Sequence, residues 1–419
     1  MGCKISKKKV QQVSFVRKVS GKHTDDVVER KRKNTLTSST TSKYSTENSS
    51  ENSKKSNSSL TSTLNKKNSS VCLYNASTAD SNKKDQDRFI TVPNILENVF
   101  FTAVFDGHGQ NGAIFAERAG MECVRLIQKK MKWLQDFSDS SEQLSVQSIH
   151  NLTVRATTAF TAVFADVQKH FTTEYNKEVK IPLERERTKL EKLEGIDLPV
   201  SLPMLGGTTA TIVLVVGSLL LTCWVGDSRA VLCRVVEESN ENNERSSEGN
   251  KIGQNTVTAI DLTIDHNVES NEKEKYRAIA AGGAIAGRHV AVDGADGMLQ
   301  TLRSLGDVPH HTNDIVSSVP EINITQLNPN ENPFVVLASD GIWHHRTSNE
   351  VVQNIFNELN KIVYNGKMLD IDDLSHVCRS YEYDLNDWVK ANSKYTDDIV
   401  MSIFTINGFD WRKSSRLIE

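Results

Sequence analysis

ATIVLVVGSLLLTCWV, residues 210 to 225, is the longest apolar stretch of the chain, and its reading decides the fold. A membrane-spanning helix needs about 20 consecutive apolar residues. This run is shorter, is broken by Gly217-Ser218, and carries Thr211 and Thr222. Its β-branched and aliphatic residues on either side of the Gly-Ser pair predict two β-strands joined by a turn. GDSR (226 to 229) and AVLCRVV follow, so the expectation is an antiparallel meander of three strands.

Outward from this stretch the periodicity changes. Ala113, Ala116, Gly120, Val124, Ile127, Met131 and Leu134 recur at steps of three and four, as do Leu152, Ala156, Phe160, Val163, Val167 and Phe171. Both sets predict long amphipathic helices lying on one core. Further on, ESNEKEKYRAIAAGG predicts a helix closed by glycine, FVVLASDG a strand ending in a turn, and DIVMSIFTI a last strand. TSNEVVQNIFNEL predicts a helix opened by the capping pair Thr347 and Glu350. Strands and helices come in blocks, which favours an α+β layered sandwich over a doubly wound parallel sheet.

The chain has 419 residues and a formal net charge of -3, so nothing in its folded part calls for nucleic acid as a partner. Six scattered cysteines without a CxxC pair argue against a structural zinc site or a secreted disulfide framework. Residues 1–70 are rich in Ser, Thr, Asn and Lys and nearly empty of apolar side chains, so they are expected to be disordered. One large domain is expected over 71–410, with a short tail at 411–419. Within that domain, polar stretches at 177–195 and 237–254 are read as surface insertions.

The extreme N-terminus carries a separate signal. In MGCKIS, Gly2 followed by Ser6 fits N-myristoylation, and Cys3 is placed for a second acyl chain. Lys7, Lys8, Lys9, Arg17, Lys18 and Lys22 follow. A basic run alone is equally a solvated tail. One acyl chain binds membranes only marginally, however, and a second chain or a basic patch is what makes attachment stable. The expectation is a lipid anchor on the cytoplasmic face of a membrane.

The aspartates share a position. Asp106 ends VFFTAVF, Asp340 ends FVVLAS, Asp227 follows LLLTCWVG, and Asp397 precedes DIVMSIF. A single Asp-Gly pair usually makes only a turn. Four carboxylates at strand tips on one edge would instead need cations between them, and such hard oxygen ligands suit Mg2+ or Mn2+.

VFDGHG (104 to 109), GGTTA (206 to 210), VGDSRAVL (225 to 232), LTIDHNVES (262 to 270), AGG (281 to 283), LRSLGD (302 to 307), ASDGIW (338 to 343) and TDDIV (396 to 400) stand in this order. Together they resemble the motif set of the type 2C metal-dependent protein serine/threonine phosphatases, the PPM family, over about 80 to 406. The resemblance implies two antiparallel sheets forming a central β-sandwich flanked by helix pairs, and a monomer acting on phosphoproteins. It implies two divalent ions and metal-activated water attack on phosphoserine or phosphothreonine. By the same resemblance Asp106 bridges both ions and Gly107 binds one through its carbonyl. Asp340 and Asp397 complete the first site, Asp87 orients water, and His108 is the general acid.

Three positions depart from the family pattern. Gln86 stands where the family has Glu, which gives up a charge near the second ion. Asn82 stands where the family has a phosphate-binding Arg, and Lys83, Lys84 or Arg88 are the candidates to replace it. His344 follows Trp343 where an acid would help Asp227 and Asp340 hold a third ion; a solvent-facing histidine is the simpler reading. The alternative to an active phosphatase is a pseudophosphatase that keeps the sandwich as a binding module. No GxSxG elbow or P-loop supports another enzyme class.

Overall fold

A computed structural model describes residues 72–78, 85–138, 143–194, 201–237, 255–327, 333–364, 371–392 and 397–405. The expectations for residues 1–70, Gly2 and Cys3 included, for 411–419, and for all but the start of 237–254 lie outside these residues.

The chain opens with β1 (Cys72–Thr78), β2 (Arg88–Leu96), β3 (Val99–Phe105) and the short β4 (Gly107–His108). Asn98 turns β2 into β3 at φ 55°, a left-handed conformation that Asn tolerates better than most residues. Two helices follow, α1 (Gly112–Lys130) and α2 (Val146–Tyr175). The Ser145 hydroxyl caps α2 by accepting from the Ser148 N–H at 3.1 Å. A single π turn, Asn176–Lys180, carries α2 on into α3 (Ile181–Glu194), so the first polar insertion is helical.

Next come β5 (Gly207–Thr208), β6 (Ala210–Val216), β7 (Leu219–Val225), β8 (Arg229–Glu237) and β9 (Asn255–Asp261). After α4 (Glu272–Ala280) lie the small strands β10 (Ala284–Ala286), β11 (His289–Ala291) and β12 (Leu305–Gly306), then β13 (Glu321–Gln326). The described chain ends with β14 (Phe334–Ala338), α5 (Asp340–Trp343), α6 (Ser348–Tyr364), α7 (Ile371–Asn392) and β15 (Ile399–Thr405). The predicted capping pair opens α6: the Thr347 N–H donates to Glu350 Oε2 at 2.8 Å and the Glu350 N–H to Thr347 Oγ1 at 3.3 Å.

Two five-stranded antiparallel sheets face each other, in the orders β1-β15-β14-β8-β9 and β13-β7-β6-β3-β2. Between them pack Phe100, Val104, Val213, Leu232, Val335 and Phe404. The outer face of the second sheet buries Phe101, Phe105, Ile212 and Leu221 with Ile127 of α1 and Phe160 of α2. The outer face of the first buries Val336 and Ile403 with Ile355 of α6 and Val377 of α7. The architecture is therefore the α+β sandwich flanked by helix pairs. All seven residues of β3 are buried, as a strand covered on both faces requires. Truncating a side chain such as Phe101 to Ala would cost about 3–5 kcal/mol.

The meander expected from 210 to 236 is corrected. β6 and β7 do form a hairpin, but β8 pairs with β14 and β9 in the opposite sheet. The turn after β7 passes the chain from one sheet to the other, with Gly226 at φ 97° and Ser228 buried beneath it. The Ser228 carbonyl accepts from Thr211 Oγ1 at 2.9 Å, fixing the crossing. Apolar pattern identifies strands but does not say which strands pair.

Candidate active site

β3 ends at Asp106 because the hydrogen bonds there turn inward. The Asp106 N–H donates to Thr209 Oγ1 at 3.0 Å, and the Thr209 N–H donates to the Asp106 carbonyl at 2.8 Å. Thr209 Oγ1 also meets Ser228 Oγ at 2.8 Å, so GGTTA and GDSR brace DGHG from behind. On the other sheet, the Ser339 N–H donates to the Val400 carbonyl and the Val400 N–H to Ser339 Oγ, both at 3.1 Å. That pair sets Asp340, at the head of α5, beside the residues that lead into β15.

The aspartates from these ends feel one another. Burial pushes the Asp106 carboxyl well above its ordinary range, and the charges of Asp87, Asp340, Asp397 and Asp227 push it further. Asp340 is raised to about 6, by burial first and then by Asp397. Asp227 is raised by burial and by Asp340 and Asp265. Asp87, 2% exposed, is raised by burial and by Asp398, and its Oδ2 is buried with no hydrogen-bond partner. Like charges collected in a buried place fit a hard cation, and an orphaned carboxylate oxygen fits a ligand or a water-orienting group. Among the described residues no three His, Cys, Asp or Glu side chains form a closed group able to hold a metal ion, so this fit rests on the charges and on the Asp87 oxygen.

Gly107 answers first to the crossing of chain segments. A Cβ there would lie 2.5 Å from the Gly112 carbonyl oxygen and 2.6 Å from that of Gln86. Gln86 stands against this same loop. Its N–H donates to Asp398 Oδ2 at 2.9 Å, and its Nε2 donates to the Gly109 carbonyl at 2.8 Å. Arg88 Nη1 donates to the carbonyls of Asp87 at 2.7 Å and Asp85 at 3.1 Å, so it braces the segment that carries Asp87. Asn82, Lys83 and Lys84 lie outside the described residues. His344 is exposed, beside Arg288.

His108 is held from its far side. Its Nε2 lies 2.7 Å from Oδ2 of Asp307, whose side chain is fully buried while that of His108 is 25% exposed. Burial pulls the imidazole pKa down, but the Asp307 charge and hydrogen bond outweigh it, and the net shift is upward. Burial pulls Asp307 up in turn, and His108 with the Ser304 hydroxyl brings it below the usual carboxylate range. Ser304 Oγ donates to the same Oδ2 at 2.6 Å. A Cβ on Gly207 would collide with the Asp307 carboxylate, so that glycine makes its room. Asp307 itself sits at φ 41°, a rare conformation for a residue other than glycine.

Sequence reading passed over Asp307. It lies in LRSLGD, but neither its left-handed backbone nor its reach to a residue 199 positions away leaves a mark in local pattern. Arg229, which grips Asp265 with Nε at 3.1 Å and Nη2 at 2.8 Å, was likewise invisible.

A family model described as Protein phosphatase 2C matches residues 96–368. The chain belongs to the protein phosphatase 2C family. Among relatives, it is 36% identical over 149 residues to the integrin-linked kinase-associated serine/threonine phosphatase 2C of Mus musculus, which is 36% of this chain and 32% of that protein. The match thus spans about a third of the length of that relative. A protein of Paramecium tetraurelia named as a probable protein phosphatase 2C is 27% identical over 298 residues, covering 68% of this chain and 80% of that protein. The fold matches a crystal structure of serine-threonine phosphatase 2C from Toxoplasma gondii with a TM-score of 0.54 and 16% identity, over 81% of this chain and 95% of that one. The family match stops short of Asp87 and Asp397, which the fold brings to the same centre as Asp106.

Proposed function

We propose that this chain is a divalent-metal-dependent protein serine/threonine phosphatase, tethered to a membrane by an acylated N-terminus. The observation that carries the reading is the joining of two features at one place, the aspartates whose charges meet at buried Asp106 and the His108 imidazole gripped by Asp307.

Asp106, Asp340 and Asp397, the Gly107 carbonyl, Gln86, Asp87 and Asp227 are the groups that would hold two Mg2+ or Mn2+ ions, with Asp227 bordering a third. Bound ions of this kind neutralise phosphoryl oxygens and acidify water. The chain's own residues do the rest. Asp106 and Asp340 would hold, at the sandwich edge, the cations that neutralise the phosphate. Asp307 occupies Nε2 of His108, so Nδ1 is the nitrogen that passes a proton to the serine or threonine oxygen as its bond to phosphorus breaks and the bond from water forms. General acid help of this sort contributes roughly a hundredfold to ten-thousandfold.

One observation favours the other reading, a binding module without turnover. The Gln86 Nε2 donates to the Gly109 carbonyl, and no carboxylate stands at that position. Hydrolysis of a phosphothreonine peptide by the full chain, with EDTA and then with added Mn2+, separates the two. Hydrolysis that stops with EDTA and returns with Mn2+ supports the enzyme; binding without hydrolysis at saturating Mn2+ supports the module. For the anchor, supported by MGCKIS and its basic run, the Gly2→Ala protein should leave the membrane fraction of a eukaryotic cell in which the wild-type protein sediments. Equal fractionation of the two would remove that part of the proposal.

A further inference from the structure

We propose that His266 is a positioning residue for the carboxylate centre: it ties the turn that carries Asp227 to the segment that carries Ser304 and Asp307, and so sets the metal-binding side against the proton-donor side. This deepens the phosphatase reading above and rests on it for the ions.

His266 lies in LTIDHNVES, between β9 and α4. It exchanges two hydrogen bonds with Gly226, the residue before Asp227. The Gly226 N–H donates to His266 Nδ1 at 3.2 Å, and the His266 N–H donates to the Gly226 carbonyl at 2.9 Å. The His266 carbonyl accepts from the Leu302 N–H at 2.6 Å. Two residues beyond Leu302 stands Ser304, whose hydroxyl donates to the Asp307 carboxylate that grips His108.

The turn at Gly226 is fixed by a second contact as well. A Cβ on Gly226 would lie 2.5 Å from Thr209 Cγ2, and Thr209 is the residue that exchanges hydrogen bonds with Asp106. Asp265, the neighbour of His266 in sequence, raises both Asp227 and Asp340 by its charge, which places this stretch beside the centre.

The ring chemistry shows why a histidine stands here. A backbone N–H can only donate, so Nδ1 offers its lone pair and the proton of the neutral ring sits on Nε2. Nε2 lies 3.6 Å from Glu321 Oε2, and a carboxylate on that side favours the same tautomer. The side chain is fully buried and its ring stacks on that of Trp224, with centroids 5.9 Å apart and planes 10° from parallel. Burial pulls the imidazole pKa down further than Glu321 pulls it up, so the ring stays neutral and Nδ1 stays an acceptor. An apolar residue could fill the same space, but it would leave the buried Gly226 N–H without this acceptor.

The test uses the full chain and reads Mn2+ binding directly, from the electron paramagnetic resonance signal of free Mn2+. Asn places Oδ1 where His places Nδ1 and keeps an acceptor, whereas Leu keeps bulk alone. His266→Leu should weaken the most loosely held Mn2+ by roughly three- to thirtyfold, and His266→Asn should stay within about twofold of wild type. Val377→Ala, in the outer core against α7, should lower the melting temperature without changing Mn2+ affinity. Equal weakening in the Leu and Asn variants, wild-type affinity in the Leu variant, or as large a weakening in Val377→Ala overturns the proposal. Should His266→Leu not fold, nitrogen NMR of wild-type protein with labelled histidine decides. The His266 signal, identified by its loss in His266→Asn, should show a bare Nδ1 and a proton on Nε2; a proton on Nδ1 overturns the proposal. A wild-type protein that binds no Mn2+ would instead sink the metal-dependent reading. Amide hydrogen exchange of the metal-free proteins then judges the tie. Faster exchange over 226–228 and 301–307 in His266→Leu but not in His266→Asn upholds it, and wild-type exchange in both overturns it.

Discussion

Asp307→Asn tests whether a carboxylate must hold the proposed proton donor, His108. Asn has the same shape, tolerates the left-handed backbone that Asp307 adopts at φ 41°, and keeps an oxygen to accept from Ser304, so the fold is spared. What goes is the negative charge 2.7 Å from His108 Nε2. A hydrogen bond to a charged group contributes about 1.5–3 kcal/mol, which at 1.36 kcal/mol per decade of rate is roughly 10- to 100-fold. The loss should be felt only where the leaving oxygen needs a proton. Turnover of a phosphothreonine peptide should therefore fall by roughly 10- to 100-fold, while p-nitrophenyl phosphate, whose phenolate departs unaided, should lose less than about threefold. The assay is kcat for both substrates at saturating Mn2+, with a thermal melt to confirm folding. Equal losses for the two substrates, or none for either, would refute the idea that Asp307 acts through His108.

Three further outcomes follow from the same geometry. Asp106→Asn should abolish hydrolysis yet leave the metal-free protein at least as stable as wild type, because it removes a charge that burial and four neighbouring aspartates oppose; a lower melting temperature in EDTA would contradict this. Burial alone would raise Glu274, but Arg303 and Arg277 bring it to about 2 from 4.5, so its contribution is complete above pH 4.5 and is lost as pH falls toward 2. That contribution is at most about 3 kcal/mol, and Glu274→Gln should be less stable at pH 7 and flatter across that window in denaturant titrations. Gln86→Glu should lower the Mn2+ concentration for half-maximal activity by restoring a charge, while costing about 1 kcal/mol of stability as the donor to the Gly109 carbonyl is lost; an unchanged Mn2+ midpoint would place Gln86 away from the ions.

The fold was legible where side-chain pattern is local. Helices at 113–134 and 152–171 appear as α1 and α2, with Met131 at the end of α1 and Leu134 in the 3-10 turn that follows it. The strands ending in Asp106 and Asp340 appear as β3 and β14. What depended on distant pairing was not legible, as with β8, whose apolar run suits either sheet. The site divides the same way. The aspartates were visible because each ends or precedes a strand, a local event. Asp307 was not, because its meaning lies in a partner far along the chain and in the space left by Gly207.

The centre belongs to neither sheet. Asp106 follows β3 and Asp227 follows β7 in one sheet, whereas Asp340 follows β14 and Asp397 precedes β15 in the other. The distance between these pairs of carboxylates is therefore set by how the sheets pack, through contacts such as Phe100 on Phe404 with ring centroids 5.5 Å apart. Held apart from that core, four like charges would separate, since each gains by returning to water. The apolar interface between the sheets opposes that separation, at about 25 cal/mol for each Å² of apolar surface kept from water. Close packing makes the interface stiff, so it resists the repulsion instead of spreading to relieve it. The gathering of these carboxylates is thus a property of the sandwich as a whole, and substitutions in the inter-sheet core should act on the affinity for any cation they bind.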